Sequence, residues 1–188
     1  YLGQANNGMR SIDEGNRMAR EAVNKALRSD PDNVLAHVIL GQFALTYDGD
    51  LPAAARHIEH ALALEPTNTF ALSMAGYLVA SLGHLDTAIA LMEYVIARDP
   101  GNSSSYGTLG SRYLFAGHLD EAIASYRTAL SLSPGAFERQ KSIGVALLRK
   151  GDYPGALAAM QKEPSEMWRM IGLPMAYHAL GRKAESDA

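Results

Sequence analysis

The residues able to do chemistry in this chain are six histidines, a set of recurring acids and one short serine run. His57 and His60 lie three apart, which puts two imidazoles on one helical face and could offer two metal ligands. No further ligand completes a series with them, and no His-Glu-x-x-His sequence occurs. The expectation is therefore a solvated outer face, with no metal and no cofactor. His84 and His118 are 34 residues apart and reflect a repeat, not a cluster. Asp86, Asp120 and Glu121 fall at helix starts, where carboxylates complement the helix dipole without forming a catalytic pair. Ser103-Ser104-Ser105 reads as a helix cap. No serine sits in a nucleophile elbow, and the glycines spell neither a P-loop nor a dinucleotide fingerprint. The expectation is that these residues hold no catalytic site.

Composition narrows the classes further. With 188 residues, 47% of them hydrophobic, the chain can bury a substantial core and is not a disordered sequence. A net charge of -3, with no strongly basic window, argues against nucleic acid and against anionic membrane as partners of this segment. The absence of cysteine excludes disulfides and thiolate metal sites, and fits a reducing cytoplasm, the expected compartment. The most apolar stretch, Phe70 to Leu82, is the length of one ordinary core helix and too short to cross a bilayer. The first residue is Tyr1, so a targeting segment upstream stays open.

The glycines are spaced by architecture. Gly49, Gly83, Gly117 and Gly151 recur every 34 residues, and Gly76, Gly110 and Gly144 share that period. So do Ala54, Ala88, Ala122 and Ala156, the prolines 66, 100 and 134, and Leu51, Leu85, Leu119 and Tyr153. The intervals Gly41–Gly76 and Pro31–Pro66 hold one residue more, expected in the turn around Tyr47-Asp48-Gly49-Asp50. Each unit reads as two amphipathic helices. Tyr106, Leu109, Gly110 and Tyr113 mark the first in one repeat; Leu119, Ala122, Ile123, Tyr126, Ala129 and Leu130 mark the second. Gly117 ends the first, and Pro134 with Gly135 ends the second. Short connections make consecutive helices antiparallel. Gly110 is expected to let a neighbouring backbone approach, with Ala122 as the facing residue; Gly76/Ala88 and Gly144/Ala156 repeat the pairing.

The series Tyr106, Leu109-Gly110, Tyr113, Ala122, Tyr126 and Pro134 resembles the tetratricopeptide repeat family, with Tyr in place of Phe or Trp. Leu72, Ala75-Gly76, Val79, Ala88, Met92 and Pro100 follow the same pattern more loosely. The resemblance implies an all-α fold, an α-solenoid of antiparallel helix pairs, working as a protein–protein interaction scaffold. It implies that first helices line a concave groove for a peptide or helix of a protein partner. The lining it implies is Gln42, Phe70, Ser73, Tyr77, Ser104, Thr108, Ser111, Arg112, Lys141, Val145 and Arg149, extended by Trp168, Met175 and His178. The family's carboxylate clamp is not expected, because Ser111 and Val145 stand where it needs Asn. The runs 47–55 and 176–187 are also similar to C-terminal repeat segments of bacterial multidomain proteins carrying an adenylate/guanylate cyclase or winged-helix domain. That likeness implies, as the alternative, a regulatory or assembly segment of such a protein.

One array over 1–188 is expected: a partial repeat at 1–32, full repeats at 33–68, 69–102 and 103–136, a shortened one at 137–165 and a partial one at 166–188. Asp13 to Ser29 reads as the second helix of the first partial repeat, with Tyr1-Leu2-Gly3 as a remnant of its first helix. Gly151 to Gly181 is 30 residues, four fewer than the period and about one helical turn. Tyr153 to Lys162 should therefore be a stub ended by Glu163-Pro164-Ser165. Pro174 falls inside a first helix, where a kink or break is expected. Open solenoid ends expose apolar faces, so homodimers are expected at high concentration. Light scattering should show them, and a monomer persisting at about millimolar concentration would contradict this.

Overall fold

The structure is a computed structural model that describes residues 12–187; the Tyr1-Leu2-Gly3 remnant lies outside them. Two compact units meet in the chain between Leu82 and Gly83. The first contains α1 (Ile12–Ser29), α2 (Val34–Phe43), α3 (Leu51–Leu64) and α4 (Thr69–Ser81). The second contains α5 (Leu85–Arg98), α6 (Ser103–Ala116), α7 (Leu119–Leu132), α8 (Arg139–Lys150), α9 (Tyr153–Gln161), α10 (Glu166–Ala179) and α11 (Lys183–Ser186). No strand occurs among the described residues. The fold is all-α, built of helical hairpins. Within each unit a helix packs on the next; first helices also pack on first helices, α2 on α4, α6 on α8 and α8 on α10.

Polar side chains set where the helices begin. Asn33, Asn68 and Asn102 accept the N–H groups of Ala36, Ala71 and Ser105 at 2.9, 2.9 and 3.2 Å, capping three first helices. Asp50 and Asp152 cap second helices α3 and α9 in the same way, each at 2.9 Å. The cap of α6 is thus Asn102 and not the serine run: Ser103 Oγ instead donates to the Ala129 carbonyl at 2.9 Å. His84 and His118 occupy the cap positions of α5 and α7, and Asp86, Asp120 and Glu121 lie in the first turns as expected. Gly117 and Gly151 end α6 and α8 with φ of 87° and 81°, a left-handed conformation that costs glycine no Cβ clash.

The extra residue of the first full repeat begins earlier than the turn expected from sequence. Ala44–Asp48 form a π-helical segment that continues α2 and closes on Gly49 at φ 66°. One residue inserted into a helix is absorbed by wider i→i+5 bonding, which leaves the flanking faces in place.

Hairpins close through a small residue on one helix and a large one on the other. A Cβ added to Gly110 would lie 2.8 Å from the Tyr126 ring. One added to Gly144 would lie 2.6 Å from Met160 Cγ, and one added to Gly41 2.9 Å from Ile58 Cγ1. The residue seated on Gly110 is therefore Tyr126, one turn beyond Ala122. At Gly144 the alanine position also takes part, since the Ala156 carbonyl would be 3.1 Å away. Ala54, Ala122 and Ala156 are fully buried, as are Tyr126, Ile58 and Met160 to within 2%. Burial pushes the Tyr126 phenol up from its ordinary pKa, and its hydroxyl stays paired with Ser111 Oγ at 3.1 Å.

The shortened repeat has lost its asparagine cap and replaced it from a distance. Glu138 precedes α8 with φ 70° and offers no side-chain cap. Glu163, in the turn after the stub α9, is 1% exposed. Its Oε1 accepts the N–H of Glu138 at 3.0 Å and of Ser165 at 3.3 Å, and its Oε2 accepts the N–H of Lys141 at 3.2 Å. A buried carboxylate is tolerable there because donors surround it and the helix N-terminus is positive. Pro174 does not break α10, which runs on to Ala179. The proline removes one backbone bond, while buried Gly172 and Ala176 hold the helix on either side.

Gly110→Ala should destabilise the second unit by about 1–3 kcal/mol through overpacking against Tyr126, and Gly110→Leu by more; urea unfolding that matches the parent protein would contradict this. Glu163→Ala should cost about 1–3 kcal/mol by leaving buried N–H groups unpaired, whereas Lys162→Ala beside it should be nearly neutral in the same assay.

Candidate functional site

The residues named as groove lining divide between the two units. In the first unit Gln42 is half-buried on α2, and Phe70 and Tyr77 are exposed on α4. Ser73 Oγ donates to the Thr69 carbonyl at 2.7 Å.

In the second unit, α6, α8 and α10 carry the remaining ten. Thr108 and Ser111 donate to the carbonyls of Ser104 and Gly107, at 3.1 and 3.2 Å, so these hydroxyl protons are held within the helix. Arg112 is only 6% exposed and belongs to the packed interior. Arg139, which sequence reasoning passed over, lays its guanidinium over Gly107, where a side chain would leave it no room. Val145 is half-buried, and Arg149 is exposed and donates to the Leu114 carbonyl. Lys141 Nζ stands 4.5 Å from the centre of the Trp168 ring and 3.3 Å from Glu138 Oε1. Its stem packs where a Cβ on Gly172 would approach within 3.0 Å, so α8 and α10 fix this pair together. Met175 and His178 are exposed further along α10.

Two apolar groups escaped the sequence reading. Phe115, on α6 four residues beyond Ser111, is 68% exposed. Ile171 is 48% exposed, and with Trp168 and Met175 it makes one face of α10 by spacings of three and four. The signal was the same helical spacing that selected their neighbours. Between these apolar ends lies α8, which has four cations and no acid along its twelve residues. Lys150 pairs with Asp120 on α7 and Lys141 with Glu138 just before α8, whereas the carbonyl that receives Arg149 leaves its charge in place. The arrangement offers apolar anchors flanking Lys141 and Arg149. A recess of about 410 Å³ is lined by residues of α7, α8 and α9, among them Leu130, Ile143 and Leu147.

Of the first unit's histidines, His60 is exposed, as an outer face requires, whereas His37 and His57 are drawn together between α2 and α3. His57 is half-buried, and its Nδ1 lies 3.1 Å from Nδ1 of His37 on α2. The His60 ring is 4.1 Å from the His37 ring, and His60 Nε2 reaches Asp32 Oδ1 at 3.1 Å. The repeat places His37 where other units carry Leu72 or Tyr106, a core-facing position, which was the available clue. Among the described residues, no group of three or more His, Asp or Glu side chains is disposed to hold a metal ion. No described helix is long and apolar enough to cross a membrane.

Comparison with known proteins agrees with this geometry. The tetratricopeptide repeat pattern matches residues 14–68, 44–103 and 108–166. No curated protein matches the chain. Among solved structures, the type IV pilus biogenesis factor PilW is similar with a TM-score of 0.80 at 20% identity, covering 99% of this chain and 87% of that one. A thermophilic repeat protein of Thermus thermophilus has a TM-score of 0.71 at 20% identity, covering 81% and 86%. YrrB, described as having an unusual peptide-binding site, has a TM-score of 0.62 at 16% identity, covering 89% and 88%. At such identities the likeness shows the fold alone. Matching over more than half its length, with glycine-to-large-residue hairpins in the same period, the chain belongs to the tetratricopeptide repeat family.

Proposed function

We propose that the second unit binds a peptide or helical segment of a protein partner along the first helices α6, α8 and α10. Apolar side chains of the partner would seat on Phe115 at one end and on Trp168, Ile171 and Met175 at the other. Acidic residues between them would face Arg149, beside Lys141 already paired with Glu138. The observation that carries this reading is the cationic, acid-free helix α8 set between exposed apolar side chains in a chain whose net charge is -3. Apolar anchors seated in a groove carry most of the affinity for a bound segment, and charged groups beside them add selectivity. A protein of the same fold, YrrB, has a peptide-binding site, which supports the use of such a surface. The general role is that of an interaction scaffold, and the remaining lining residues, including Ser104, Thr108, Ser111, Val145 and His178, would form its polar rim. In the first unit, Gln42, Phe70, Ser73 and Tyr77 would offer a second contact surface of the same type. Met167 and Met170, exposed on a different face of α10, are where a second copy would dock.

Trp168 is the single tryptophan, so its fluorescence reports on the site directly. Peptides selected from a random display library against the full chain should carry apolar residues flanking acids and should shift that fluorescence. Arg149→Glu or Met175→Asp should each weaken them about tenfold, or ~1.4 kcal/mol, with added salt weakening the parent complex. The control Arg127→Glu, exposed on α7, should bind as the parent does. Selected peptides that bind the Arg149 and Met175 variants unchanged would contradict the assignment.

A further inference from the structure

The first unit contains a feature that peptide binding does not use: three imidazoles joining the two helices of one hairpin. His37 comes from α2, and His57 and His60 come from α3. His37 Nε2 is 2.9 Å from the Pro31 carbonyl oxygen, which can only accept, so this nitrogen carries a proton. In neutral His37 the other nitrogen, Nδ1, then carries a lone pair. The 3.1 Å contact to His57 Nδ1 is therefore a bond donated by His57. The protons of both rings are thus fixed by one backbone carbonyl.

We propose that the His37–His57–His60 cluster is a proton-sensitive latch that holds α2 against α3 when its imidazoles are neutral and releases them on acidification. When both rings carry a proton on each nitrogen, two Nδ1–H groups face each other across the 3.1 Å gap and the bond becomes a repulsion. His60, whose ring is 4.1 Å from that of His37, bonds through Nε2 to Asp32 and lies near enough to oppose a charge on His57.

The charges around the pair favour this response. On α3, Arg56 adjoins His57, while Glu59 is exposed. The turn before α2 supplies Asp30, bonded to Asn33, and Asp32, bonded to His60, so neither carboxylate bonds to the pair. The last two turns of α1 bring Lys25 and Arg28, both exposed, and α4 has only Tyr77 as a titratable side chain. Burial, and then the charges of His37, Arg56 and His60, hold the His57 pKa below its ordinary 6.5. A group whose folded pKa is depressed stabilises the fold above its unfolded value, and that stability disappears as pH falls through the folded value. The latch therefore holds above about pH 6.5 and weakens below it.

The test uses the full chain with a chelator present. Hydrogen exchange, corrected for the intrinsic rate, should show residues 34–64 losing at least about tenfold more protection than residues 103–161 between about pH 7.5 and pH 5. Gln at position 57 can still donate to His37 Nδ1 but does not titrate in this range, so His57→Gln should remove most of that difference. Equal loss in both segments, or the same loss in the variant, would overturn the proposal. A readout on the parent protein covers the case in which the variant folds poorly. The ring signals of His57 should titrate below 6.5, and His37→Gln should move them upward. Titration at or above 6.5, or indifference to His37→Gln, would equally overturn it.

Discussion

The close approach of two helices at a glycine is the constraint on which the hairpins depend. Gly110, Gly144 and Gly41 each sit beneath a large side chain of the paired helix, respectively Tyr126, Met160 and Ile58. Glycine costs roughly 1 kcal/mol in a helix interior relative to alanine. Full burial of one of these large side chains contributes about 1.5–3 kcal/mol, which offsets that cost. The flanking alanines do a second job: with no side chain beyond Cβ, they let the backbones stay near enough for the large residue to reach its seat. The polar tip of Tyr126 stays satisfied by Ser111, so depth is gained without an unpaired hydroxyl.

The shortened repeat shows how the same architecture tolerates a loss. The stub helix α9 ends one turn early, which brings Glu163 back to the start of α8. The asparagine caps of α2, α4 and α6 are local, three residues from their targets. The Glu163 cap reaches 22 residues back in sequence to the N–H of Lys141. That bond fixes the first turn of α8 and with it the direction from which Lys141 approaches Trp168. A local shortening, a buried charge and the cation of the proposed binding surface are thus one connected arrangement.

Much of this was legible before any coordinates, because translational repetition copies each structural requirement several times. The glycine and proline periods give the helix ends, and the shortfall between Gly151 and Gly181 gives the stub. What escaped were features that occur once. The π-helical segment at Ala44–Asp48 has no repeat partner, and a one-residue insertion looks the same in a turn as in a helix. Tyr126 as the partner of Gly110 follows from side-chain reach, which spacing does not encode. His37 was overlooked because its partners are 20 and 23 residues away on another helix. The burial of Arg112 and the exposure of Phe115 depend on how α8 and its neighbours pack against α6. The candidate surface was therefore readable as a set of helix faces and not as a set of available side chains.

The central claim is that large side chains of second helices lie directly on first-helix glycines. Proton–proton Overhauser measurements on the full chain in solution test it most directly. Strong cross-peaks are predicted between the Gly110 Hα protons and the Tyr126 ring, and between the Gly144 Hα protons and the Met160 methyl group. The Gly110 Hα signals should also be displaced by the ring current. Absence of both sets of cross-peaks in a folded, helical sample would contradict the account.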